Sequence, residues 1–101
     1  LDEPCAGLDP AAREHFLQFL NRLGSKKNTP TIMLITHHLE EIMPVFTHAL
    51  LLRGGKDIAK GRVNKILTSK SLSTAFDCQV DLRRRKGRYW LTAKPKSKTV
   101  M

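Results

Sequence analysis

Six consecutive residues, Thr31-Ile32-Met33-Leu34-Ile35-Thr36, constrain most strongly what this chain can form. The run is short, nearly all apolar and rich in strand formers, which suits a strand covered on both faces, as in a parallel sheet. Such a strand needs parallel neighbours at its sides, and the natural one upstream is a stub: Leu1, followed by the acidic pair Asp2-Glu3 and by Pro4. Leu1 is not an initiator Met, so the chain is expected to begin inside a domain, with Leu1 as the last residue of a central strand.

The rest of the pattern alternates around that run. Asp9-Pro10 reads as an N-cap followed by Pro at the first helical position, where the missing N–H costs nothing. Ala12, Phe16, Phe19, Leu20 and Leu23 then recur at helical spacing up to Gly24, which predicts a helix over 10–23. His38 to Phe46 begins helically, with Glu40 and Glu41 complementing the helix dipole, until Pro44 shortens or kinks it. His48–Arg53 and Lys56–Lys60 flank Gly54-Gly55, a two-residue hairpin signal. Residues 62–68 and 71–77 read as two short helices. Cys78–Arg83 and Arg88–Thr92, around Lys86-Gly87, read as a final hairpin, and 94–101 as a disordered basic tail. The expected organisation is therefore a main α/β part over 1–77, a basic hairpin over 78–93 and the tail.

Charge divides the chain. Residues 1–50 carry four Lys/Arg against six Asp/Glu, whereas residues 51–101 carry fourteen against three. Eight basic residues and no acid lie within 83–98. With Tyr89 and Trp90 alongside, that block could contact nucleic acid or anionic lipid. The plainer reading, a solvated hairpin whose Val80, Leu82, Tyr89 and Leu91 pack inward, is favoured by the obvious turn at Gly87. Two cysteines 73 positions apart, Cys5 and Cys78, make no disulfide framework, and a reducing cytosol is the expected setting. No run of about 18 apolar residues exists to span a bilayer.

Chemistry concentrates at strand ends. Open α/β sheets bind ligands at the carboxyl ends of their strands, which is where Asp2 and Glu3 would sit. Phosphoryl transfer needs a carboxylate to hold Mg²⁺, usually through water, and hydrolysis needs a group to orient and deprotonate the attacking water. Asp2 would serve the metal and Glu3 the water, although an acidic pair before Pro also opens ordinary loops. A His at the end of the neighbouring strand, in Ile35-Thr36-His37, could donate a hydrogen bond to the γ-phosphate. Zinc at His37-His38 with Cys5 or Cys78 lacks the usual ligand spacing. A Cys5–His37 nucleophilic pair is conceivable only if both strand ends meet. His15 and His48 read as surface or strand histidines, and Cys5 as a small buried side chain.

Taken in order, these segments resemble the carboxyl-terminal part of an ATP-binding cassette (ABC) ATPase. Leu1-Asp2-Glu3-Pro4 is similar to the end of that family's Walker B motif, Gly7-Leu8-Asp9 to its D-loop, and Ile35-Thr36-His37 to its switch-histidine loop. Leu50-Leu51-Leu52-Arg53-Gly54-Gly55-Lys56 through Lys60-Gly61 matches the strand–turn–strand that follows. The resemblance covers 1–77 and implies an α/β fold, the C-terminal portion of a P-loop NTPase domain, with hairpins added on its C-terminal side. It implies Asp2 as the magnesium-associated carboxylate, Glu3 as general base, Asp9 near the opposite subunit's nucleotide and His37 as γ-phosphate sensor. His38 stands where the family often has Asp, so the Thr-His register is what selects His37. Cofactors would be ATP and Mg²⁺. Partners would be the N-terminal half of the domain, a second ATPase domain and a membrane permease, which implies a cytoplasmic protein peripheral to the inner membrane.

The departures are as specific as the matches. No G-x-x-x-x-G-K-[ST] phosphate loop occurs, and neither the family's Gln loop nor its Leu-Ser-Gly-Gly-Gln-type signature is present. Gly54-Gly55-Lys56 lies in a hairpin and lacks both the upstream Gly and the following Ser/Thr. Two functions therefore compete: an ATP-hydrolysing subunit, inactive without the missing half, and a non-catalytic module binding protein or nucleic acid through its basic end. Alone, the chain is expected to aggregate or to form a loose globule.

Overall fold

The computed structural model describes residues 1–94, so the expected tail, apart from Lys94, lies outside the described residues. Two compact units divide the chain. The first holds Leu1–Phe46 and Arg85–Tyr89, and the second, among the described residues, holds Thr47–Arg84 and Trp90–Lys94.

In the first unit, helix α1 spans Pro10–Gly24. The Asp9 side chain caps it, with Oδ1 accepting from the Ala12 amide at 2.8 Å, and Pro10 occupies the first turn. Leu17 and Leu20 form the buried face of α1, and Leu17 meets Cys5 and Met43 in a small core flanked by Phe16, Val45 and Phe46. Asn21 ties the same helix to the segment after Pro44, its Oδ1 accepting from the Val45 amide at 2.9 Å. Gly24 permits that approach, because a Cβ there would stand 2.5 Å from Val45 Cγ2.

Two predicted elements of this unit differ from the sequence reading. The run 31–36 is extended but forms no continuous strand; its only ladder contact among the described residues is a parallel bridge between Asp2 and Ile35. Three backbone hydrogen bonds make this pairing: the Leu1 amine to Met33 O, the Ile35 amide to Leu1 O and the Glu3 amide to Ile35 O, each 2.8 Å. No other segment among the described residues pairs with the run, and extended backbone without a hydrogen-bonded neighbour builds no ladder. Likewise, the helical start read over His38 to Phe46, expected to be shortened or kinked by Pro44, is only a 3₁₀ turn over Leu39–Glu41. Ile42 leaves helical geometry (φ −82°, ψ 107°), and Pro44, which lacks a donor and confines the residue before it to extended backbone, prevents resumption.

The second unit opens with the antiparallel hairpin β1 (His48–Arg53) and β2 (Lys56–Arg62), registered from His48↔Arg62 to Arg53↔Lys56 with an irregularity at Leu51/Leu52. Gly54 and Gly55 both have positive φ (57° and 76°), as the tight turn requires. Short helices α2 (Val63–Ile66) and α3 (Ser69–Phe76) follow. Thr68 caps α3 through the Ser71 amide (3.1 Å), and Leu72 of α3 is fully buried. Strands β3 (Gln79–Arg85) and β4 (Arg88–Lys94) form a second two-stranded sheet. The Ser69 and Ser73 hydroxyls accept from the Leu82 and Val80 amides (3.0 and 3.1 Å), fixing β3 against α3. Val80 and Tyr89 are buried, as the inward-facing reading of this hairpin expects, and Arg83 and Trp90 are exposed. Among the described residues, no helix is long and apolar enough to cross a membrane.

A carboxylate–imidazole pair at adjoining strand ends

The parallel bridge puts the acidic pair beside the end of the 31–36 segment. Asp2 is the residue opposite Ile35, and two residues beyond Ile35 stands His37. Along a regular strand Asp2 and Glu3 would point to opposite faces. Glu3 escapes that alternation because its φ is +48°, in the left-handed region that a side chain with a Cβ rarely enters. Its carbonyl then accepts from the Ala6 amide (3.1 Å), beginning the turn that delivers the chain to Asp9 and α1.

The consequence is a direct contact: Glu3 Oε1 lies 2.6 Å from His37 Nδ1. Glu3 is about two-thirds shielded, whereas the His37 side chain is 81% exposed, leaving its second ring nitrogen open to a ligand. Of the two adjacent histidines, it is His37 whose ring meets Glu3. His38 instead contributes its backbone amide, which donates to Thr36 Oγ1 at 3.0 Å. An outlying backbone conformation costs about 1–3 kcal/mol and persists only where its surroundings enforce it. Here it coincides with the carboxylate that reaches the imidazole.

The other sequence-selected residues are placed as follows. Asp2 is exposed, and its carboxylate makes no hydrogen bond or ion pair to the described residues. An unencumbered carboxylate suits Mg²⁺, which keeps several waters and takes only one or two protein carboxylates alongside substrate phosphates. Asp9 is occupied in capping α1. Cys5 is buried, and burial, followed by the nearby Glu41 charge, holds its thiol above the ordinary range, so it is a poor nucleophile. In the second unit, His48 Nδ1 sits against the Thr47 hydroxyl at 2.8 Å. Among the described residues, no group of three His, Cys, Asp or Glu side chains converges to hold a metal.

Sequence reasoning missed Glu41. Read there only as an acid complementing the dipole at a helix start, it is 3% exposed and accepts from the Thr36 hydroxyl at 2.6 Å. The one available signal was a hydroxyl and a carboxylate bracketing His37, and nothing in the charge pattern announced that either was buried.

Comparison with known proteins bears on the family and fold of the chain. The ABC transporter ATP-binding protein YlmA of Bacillus subtilis is 42% identical over 92 residues, covering 91% of this chain and 35% of the relative. YmeB of Lactococcus lactis, also an ABC transporter ATP-binding protein, is 38% identical over 91 residues, covering 90% of this chain and 35% of its own length. A solved structure described as an inward-facing metal-chelate type ABC transporter superposes with a TM-score of 0.73 at 26% identity. That match covers 97% of this chain and 39% of the other. No protein-family model matches the chain. The chain thus spans about a third of the length of these relatives, and the matched part is their C-terminal one. In sequence and in fold, it belongs to the ABC-type ATPases and corresponds to the C-terminal part of their α/β nucleotide-binding domain.

Proposed function

We propose that this chain supplies the hydrolytic side of an ATP site and acts when a phosphate-binding half completes the domain. The observation that carries the reading is the Glu3–His37 contact at 2.6 Å, formed where two extended segments adjoin in parallel. In the proposed reaction Glu3 accepts a proton from the water that attacks the γ-phosphate. His37 holds Glu3 through Nδ1 and offers its exposed opposite edge to the terminal phosphate oxygens. The Asp2 carboxylate would hold Mg²⁺ through water, and that ion supplies charge neutralisation at the phosphates. Asp9 lies next to the Gly7-Leu8 turn and serves at the contact with a second ATPase domain, near that domain's nucleotide.

The phosphate grip has no counterpart in this sequence, so the chain alone has negligible affinity for ATP in this reading. The assembled protein works at the cytoplasmic face of a membrane permease, which determines the transported substrate. The test uses a chimera in which this chain replaces the matching 35% of the Bacillus subtilis relative. The chimera should bind and hydrolyse ATP, while the chain alone should do neither. Hydrolysis by the isolated chain, or a folded chimera that binds ATP without turning it over, would overturn the proposal.

A further inference from the structure

The turn that carries His37 is held from behind by a polar network that the reaction above does not use. Glu41 is 3% exposed. The Thr36 hydroxyl donates to its Oε1 at 2.6 Å, and the same hydroxyl accepts from the His38 amide at 3.0 Å. From α1, Arg13 brings Nε to 3.3 Å from Glu41 Oε2, a close charge contact outside hydrogen-bond geometry. The residues immediately before and after His37 are therefore both tied to one buried carboxylate, Thr36 directly and His38 through the shared hydroxyl. A second brace lies alongside. Arg88 donates to both Glu14 oxygens (2.8 and 3.1 Å) and to the Glu40 carbonyl (3.2 Å), joining α1 to the same 3₁₀ turn.

Burying a carboxylate is unfavourable, and an apolar side chain of similar volume could pack the turn without that cost. What the apolar side chain could not do is fix a hydroxyl whose second bond sets the backbone at His38. We infer that Glu41, anchored by Arg13, is a positioning residue that acts through Thr36 to set the reach of His37 toward Glu3. The inference rests on the reading that His37 and Glu3 work together at the terminal phosphate. It adds that their geometry is imposed by Glu41 and Thr36, which touch neither ATP nor the reacting water.

The test measures single-turnover and steady-state ATP hydrolysis in the chimera described above. Thr36→Val should lower the hydrolytic rate about 10- to 100-fold, the scale of a displaced reacting group, with KM for ATP held within about twofold. Thr36→Ser keeps the hydroxyl and should restore the rate to within about threefold of the parent. Glu41→Leu, which has no acceptor for the Thr36 hydroxyl, should behave as Thr36→Val does where thermal melting shows it folded. In a His37→Ala background, Thr36→Val should cost nothing further, because its effect passes through the imidazole. An equal loss in both backgrounds would mark Thr36 as merely structural and overturn the inference. So would a normal rate in Thr36→Val when His37→Ala is impaired, with the reading of His37 itself left standing. A normal rate in His37→Ala would remove both.

Discussion

Met33 gives the sharpest test of whether this chain belongs inside a wider sheet. It is 70% exposed, and Leu1 (54%) and Ile35 (49%) lie bare around it. Full burial of a methionine stabilises by about 1.5–3 kcal/mol, so a side chain that is two-thirds exposed can lose little. On the geometry of this chain by itself, Met33→Ala should cost about 0.5–1 kcal/mol. If the rest of an ABC domain covers both faces of the 31–36 segment, the same substitution removes a core side chain and should cost about 2–5 kcal/mol. Leu17, 1% exposed within the first unit's own core, is the internal reference: Leu17→Ala should fall in that same range whatever covers Met33. The assay is urea unfolding of the Bacillus chimera and its two variants, comparing midpoints at constant slope. A Met33→Ala cost below about 1 kcal/mol beside a normal Leu17→Ala cost would refute the reasoning, since it would leave Met33 uncovered in the completed domain.

Other outcomes follow from the same contacts. The isolated chain should bind a hydrophobic dye and melt without a sharp transition, and a cooperative monomeric melt by calorimetry would contradict this. The Arg88 hydrogen bond, followed by that from Gln18, holds the Glu14 carboxyl below its ordinary value. The stability this contributes is present above the ordinary carboxylate range and lost as pH falls through the depressed value. Arg88→Gln should therefore flatten the acid limb of a stability–pH curve, with an effect kept small by the 43% exposure of Glu14. Cys5 should resist iodoacetamide at pH 8 in the folded chimera while half-buried Cys78 reacts, as peptide mapping would show.

The parts legible in the sequence are those whose causes are local. Asp9-Pro10 starts α1 because a cap needs those residue types. Gly24, read as the C-cap, is instead the last helical residue and Ser25 is the C-cap; what calls for Gly there is its close approach to Val45. Gly54-Gly55 and Lys86-Gly87 mark the two hairpin turns because both positions in each turn take positive φ. The approach of the Glu3 and His37 segments was legible too, since strand ends in an α/β sheet share one edge. What failed depended on distant neighbours. The 31–36 run has the composition of a central strand, yet among the described residues its only ladder contact is the Asp2–Ile35 bridge, and composition does not say which segment lies beside it. The 38–46 segment is the exception, its cause being local: Pro44, whose shortening effect was legible, together with extended Ile42 limits it to one 3₁₀ turn. Glu41 was misplaced because its burial depends on Arg13, which lies a whole helix and loop earlier in the chain.

The most direct test of the central claim is single-turnover hydrolysis of bound ATP by the chimera carrying Glu3→Gln. The variant keeps the side chain's size and removes its capacity to take a proton, so nucleotide affinity should stay within about twofold while the hydrolytic rate falls by about 10²- to 10⁴-fold. A parental rate in Glu3→Gln would contradict the assignment of Glu3 as the base.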